Sequence, residues 1–168
     1  MFLPQFDGVL VVDAVPPDFT ARLERRVNEG LLVRGSHVRA DYHVQRVTPD
    51  EIRFRAGSLW TAINVGLNEV TVRRESDTRL TYAVTFWRWT AYAVSLCGGI
   101  AIPLGAFYVW FHLRPDTPAI PLWGQAIFWG SVLFWGIIWP WILTAFHKPF
   151  VRRCLERILL EELADESS

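Results

Sequence analysis

Residues 90–111 read TAYAVSLCGGIAIPLGAFYVWF and residues 121–146 read PLWGQAIFWGSVLFWGIIWPWILTAF, and neither contains Asp, Glu, Lys, Arg or His. As helices rising about 1.5 Å per residue, the first would be about 33 Å long and the second somewhat longer. The hydrocarbon core of a bilayer is roughly 30 Å thick, so each is long enough to cross it. The competing reading, two buried core helices of a soluble protein, asks a chain of 168 residues to hide both stretches completely, and a domain that small has too little interior. The expectation is a two-helix transmembrane hairpin over residues 88–148.

Aromatic residues stand where membrane–water boundaries would fall: Trp87, Trp89 and Tyr92 at one end of the first span, Tyr108 and Trp110 at the other, Trp123, Trp139 and Trp141 around the second. Arg114 is the only basic residue besides His112 in the short connection. Arg73, Arg74, Arg79 and Arg88 precede the hairpin, and Lys148, Arg152, Arg153 and Arg157 follow it. Basic flanks stay inside, so both termini are expected in the cytoplasm of a bacterial cell, the chain being an integral protein of its inner membrane. Ala93, Cys97, Ala101 and Gly105 recur every fourth residue and form a small-residue stripe for helix packing. Ala126 and Gly130 offer a matching patch on the second span. Pro103 and Pro140 are expected to bend their helices about one turn earlier. A transporter would need charge along its path, and neither span has any.

Outside the spans the chain allows one modest domain. Lys plus Arg and Asp plus Glu balance at 17 each, so no overall field draws it to nucleic acid. Two cysteines give no disulfide framework. The amino-terminal stretch MFLPQFDGVLVVDAV lacks an early positive charge and carries Asp7, unlike a secretory signal.

Residues 8–14, GVLVVDA, predict a first strand. Val15-Pro16-Pro17-Asp18 opens a helix with Phe19, Leu23 and Val27 on one face, Arg22, Arg25 and Arg26 turned away, and Gly30 as the stop. Val38, Ala40, Tyr42 and Val44 then alternate with polar residues, as do Ile52, Phe54 and Ala56, and later Leu80, Tyr82, Val84 and Phe86. Residues 59–65 read as another strand, with Gly66 a bulge or turn before a strand over 67–73. After the hairpin, Pro149 is expected to start an amphipathic helix, residues 149–168, with Val151, Cys154, Leu155, Ile158, Leu159 and Leu163 in one stripe. Arg152–Glu156 and Arg157–Glu161 form pairs on its other side. Residues 1–87 thus form a small α+β domain, an antiparallel meander on which both the amino-terminal and the carboxy-terminal helix pack.

That order of elements (strand, helix after a proline-rich turn, meander, and the closing helix VRRCLERILLEEL) resembles the START-like helix-grip superfamily, which includes lipid-transfer and polyketide cyclase-like proteins. The likeness covers residues 8–87 and 149–164, with the membrane hairpin inserted just before the gripping helix. It implies a curved sheet closed on the last helix around an apolar cavity that holds a lipid or other apolar ligand. Tyr42, Phe54, Tyr82, Leu155, Ile158 and Leu159 are the candidates to line that cavity or to form the core. No catalytic residue of the superfamily transfers to this chain.

His37, Asp41 and His43 share a strand face, but six residues along a strand separate the histidines by about 20 Å, too far to share an ion. No metal site or cofactor is expected. Arg39, Arg53 and Arg55 read as surface charge. Cys154, beside Arg153 and Arg157 but on the apolar stripe, reads as a buried, inert thiol. No nucleophile with a base and no phosphate loop is legible, so an enzyme comes third of three function classes, after the two binding and structural ones. The candidate functions are a membrane-anchored module holding an apolar ligand and, alternatively, a structural or accessory subunit of a membrane complex. Its expected partners are the bilayer, an apolar ligand, and a second copy or another membrane protein.

Overall fold

A computed structural model describes residues 3–32, 42–115 and 118–164. His37, Val38, Arg39, Ala40 and Asp41 lie outside the described residues, and so does the end of the chain after Ala164. The chain divides into two compact units, one formed by Leu3–Trp89 with His147–Ser168, the other by Thr90–Phe146.

The first unit is α+β. Strands β1 (Gln5–Val11), β2 (Tyr42–Val47), β3 (Glu51–Ala56), β4 (Glu69–Ser76) and β5 (Arg79–Thr85) form one antiparallel sheet in the order β1-β5-β4-β3-β2. The meander runs from β2 to β5, and β1 pairs with the last strand, placing Gly8 opposite Tyr82. Alternation sends Phe6, Ile52, Phe54, Val70, Val72, Leu80, Tyr82 and Val84 to one face, where they are buried. Helix α1 (Phe19–Gly30) covers that face with Phe19, Leu23 and Val27. The carboxy-terminal helix adds Val151, Leu155, Ile158 and Leu159 to the same core. The opposite face of the sheet, with Val9, Arg53, Arg55 and Arg73, is exposed, as is common for antiparallel sheets.

Several elements differ from expectation. Residues 59–65 form a helix, α2 (Leu59–Val65), and not a strand. The Ser58 side chain accepts from the Thr61 amide at 3.1 Å, and Gly66 closes the helix at φ 84°. These two caps outweigh the β-branched residues between them. The following strand begins at Glu69, and the first strand lies three residues earlier than its apolar run suggested. Pro149 does not start the last helix. It lies inside α5 (Trp139–Ala164), because proline's fixed φ is itself helical and its missing N–H costs one bond in a helix already formed.

The second unit contains most of α3 (Trp87–His112), then α4 (Leu122–Leu133), a π-helical turn (Phe134–Ile138) and the start of α5. The π turn falls one turn before Pro140, whose ring would otherwise press on the carbonyl of Gly136. Both helical bodies, Trp87–His112 and Leu122–Ala164, are long and apolar enough to cross a membrane, with mean hydropathy 1.7 over their best windows. Only 6% and 11% of those windows is buried, so the windows themselves are not buried core segments.

Candidate functional site

Along α3 the small residues behave unevenly. Ala93, Ala101 and Gly105 are buried, and Cys97 is half-buried. Ala126 and Gly130 do not form the matching patch: both are exposed, and a Cβ on Gly130 would meet nothing within 4 Å. Gly105 instead faces the Trp129 ring, 3.3 Å from where its Cβ would stand. Ala101 meets Gly136. The large indole fills the space that two small residues would have left open. Tyr108 stacks on Phe128 at 4.1 Å between ring centres, and the Thr144 hydroxyl, 2.8 Å from the Pro140 carbonyl, lies 3.5 Å from that of Thr90.

In the domain, Tyr42, Phe54, Leu155, Ile158 and Leu159 are buried in a single apolar core together with Tyr82. Tyr42 and Phe54 meet edge to face at 6.0 Å between centroids. Tyr82 is the exception in chemistry. Its ring lies across Gly8 on the neighbouring strand, where a Cβ would overlap the phenol, so only glycine leaves room. The hydroxyl then reaches α5, donating to the Glu156 carboxylate and accepting from Arg152 Nε at 3.1 Å. Arg152 and Glu156 are also paired at 3.0 Å. Burial, reinforced by the Glu156 carboxylate, pushes the Tyr82 pKa up to about 12. Burial also acts to raise the Glu156 carboxyl, but the hydrogen bonds from Tyr82 and Arg152 outweigh it and hold the group below the usual range. Glu156 is therefore part of the helix–sheet contact, and not only a member of an exposed helical pair.

Arg26 also departs from expectation. It is 6% exposed, its Nε donating to the Leu31 carbonyl at 3.1 Å, and its guanidinium lies 3.2 Å from Glu161 and 3.7 Å from Glu162 near the end of α5. Position 26 shares the buried face of α1 with positions 19, 23, 27 and 30, a spacing that its charge concealed.

A third cluster surrounds α2. Asn68 is buried, and with its amide turned to suit its neighbours it donates to the Ala62 carbonyl at 3.1 Å. Its oxygen accepts from the first amides of α3, Trp87 at 3.3 Å and Arg88 at 2.6 Å. A side chain on Gly66 would overlap His147 and Val151 of α5. His147 stacks on Trp89 at 4.2 Å with the rings within 4° of parallel, and meets Phe86 edge to face. Burial pushes the His147 pKa down, against a weaker opposing hydrogen bond to the Val65 backbone. Neither Asn68 nor His147 is legible in the sequence, because the partners that matter, Trp87 and Arg88 for the one and Phe86 and Trp89 for the other, are distant along the chain.

Chemically, these clusters join elements and do not present a reactive group. The described residues contain no group of three His, Cys, Asp or Glu that could hold a metal ion. His43 is exposed on β2. Burial raises the Cys154 thiol, which reduces its nucleophilicity. Comparison with protein-family models, curated proteins and solved structures finds no match to this chain.

Proposed function

We propose that the protein is a membrane-anchored accessory module, in which two spans tether a solidly packed α+β domain to the cytoplasmic face of a membrane. The observation that carries the reading is the exposure of the apolar helices: only 6% and 11% of their most apolar windows is buried. In water so much apolar surface is unfavourable, and in hydrocarbon it is not. The interior of the domain favours an accessory role over the holding of a ligand. Tyr42, Phe54, Leu155, Ile158 and Leu159 occupy the volume that a ligand gripped between sheet and α5 would need. The domain then acts through its surface, as a structural part of a membrane assembly.

Cysteine labelling in intact cells and in inverted vesicles tests the anchoring, in a background lacking Cys97 and Cys154. Ser76→Cys is expected to react only when the cytoplasmic side is open, and Leu113→Cys only from outside. Reaction of both from the same side would overturn the hairpin. Native mass spectrometry of the full chain after detergent exchange tests the accessory role. The bare mass is expected, and one stoichiometric lipid that survives exchange would replace this role with that of a lipid carrier.

A further inference from the structure

Residues 56–68 carry no ionisable side chain, in a chain that is 20% charged, and α2 lies within them. Its inner side, Ala62 and Ile63, is buried, while Leu59 is 57% and Trp60 71% exposed. Scattered surface apolar residues are ordinary. This pair is distinguished by its location within the domain. Trp89 and His147, the last domain residue before one apolar segment and the first after the other, stack on each other. Gly66, the cap of α2, lies against that same His147, and Asn68 ties Ala62 of α2 to the first amides of α3. Helix α2 is thus fixed beside the place where both apolar segments join the domain. Trp87 and Phe150, close in sequence to the two junction residues, are exposed as well. Two cations lie near these residues, Arg88 beside the Trp87 ring and Lys148 beside the Phe6 ring.

We infer that Leu59 and Trp60 form, with Trp87 and Phe150, an apolar collar seated in the headgroup layer of an anionic phospholipid bilayer. Tryptophan and leucine among Ser, Thr and Asn are suited to that layer, where one part of a ring is dry and its N–H is wet. Arg88 and Lys148 complement its negative surface. The inference rests on the membrane anchoring proposed above. It adds that the domain touches the lipid through α2 and does not hang free on its two attachments.

The test uses the full chain without its native cysteines, in nanodiscs of phosphatidylcholine with phosphatidylglycerol. A nitroxide is placed in turn at Trp60→Cys and at Leu59→Cys, the second leaving Trp60 intact. Ile102→Cys on α3 and Val11→Cys on β1, both at exposed positions, serve as references. Collisional relaxation by oxygen, which concentrates in lipid, is compared with that by a water-soluble nickel chelate. The expected ratio at positions 59 and 60 is several-fold above that at position 11 and approaches that at position 102. A water-like ratio at 59 and 60, with a lipid-like ratio at 102, overturns the collar and leaves the anchoring intact. Shielding of 59 and 60 from both relaxants overturns it too, by showing protein, such as a second copy, as the occupant. A water-like ratio at 102 overturns the anchoring and the collar with it.

Discussion

Removing the Glu156 carboxylate separates two accounts of the last helix. If Glu156 only pairs with Arg152 along α5, Glu156→Ala costs about 0.2–1 kcal/mol, as exposed ion pairs do. In the structure it also accepts the Tyr82 hydroxyl proton, and Tyr82 is 2% exposed. Arg152 can still donate to the phenol oxygen, but the part-buried O–H loses its charged acceptor. A part-buried hydrogen bond to a charged group contributes about 1–3 kcal/mol, so Glu156→Ala is expected to lose about that much. For a domain near 100 residues this lowers the melting temperature by about 4–8 °C per kcal/mol. Tyr82→Phe removes the stranded group, so the double variant should be more stable than Glu156→Ala alone, with a coupling of about 1 kcal/mol or more. Urea titration of the full chain in mild detergent, read by pulse proteolysis of the sheet, measures all three variants. Arg157→Ala is the control, since Arg157 is exposed and pairs with Glu161 at 3.8 Å. If Glu156→Ala loses no more than Arg157→Ala, the Tyr82 contact contributes nothing and the reasoning fails.

Leu155→Asp places an unpaired charge in the closed core, and limited proteolysis is expected to cut the sheet readily; protection equal to the parent would show that α5 does not hold it. Gly66→Ala is expected to destabilise by more than about 1 kcal/mol, because the position combines φ 84° with overlap against His147 and Val151; an unchanged urea midpoint would count against the α2–α5 contact. Acid should also act through His147, whose folded pKa lies below 6.5. Its unfolded form binds a proton first, so stability is full above pH 6.5 and declines as the pH falls from there through the folded value. His147→Phe should flatten that part of the stability–pH curve, and an unaltered slope would assign it to other groups.

Where neighbours in sequence are neighbours in space, the fold was legible. Ile52, Phe54 and Ala56, and Leu80, Tyr82 and Val84, alternate in the sequence and in the sheet. The stripe Val151–Leu155–Ile158–Leu159 marks the buried side of α5 without reference to its partners. The helix at 59–65 is not legible from its pattern, because a short uncharged run with five apolar residues in seven fits either period, and only the caps at Ser58 and Gly66 decide it. In the sequence Glu156 is an ordinary i,i+4 partner of Arg152, and that local pairing is real. Its second partner depends on the β1–β5 register, which puts Gly8 beneath the Tyr82 ring. The sequence sets Arg26 away from the apolar face of its helix because of its charge, although its position lies on that face. The bend expected near Pro140 takes the form of a π turn, whose extra width no local pattern announced.

The closing helix has a consequence for how the chain is made. A ribosome completes all five strands by Thr85, yet Val151, Leu155, Ile158 and Leu159 cover the sheet only after residues 90–146 have been synthesised. Through that interval the nascent domain has α1 over its apolar face but lacks the second helix, and chaperones and proteases recognise such uncovered surface. For a chain whose middle enters the membrane, insertion comes before closure. On the proposed anchoring, a product that stalls before residue 151 leaves that face open, and docking of the last helix marks a finished chain.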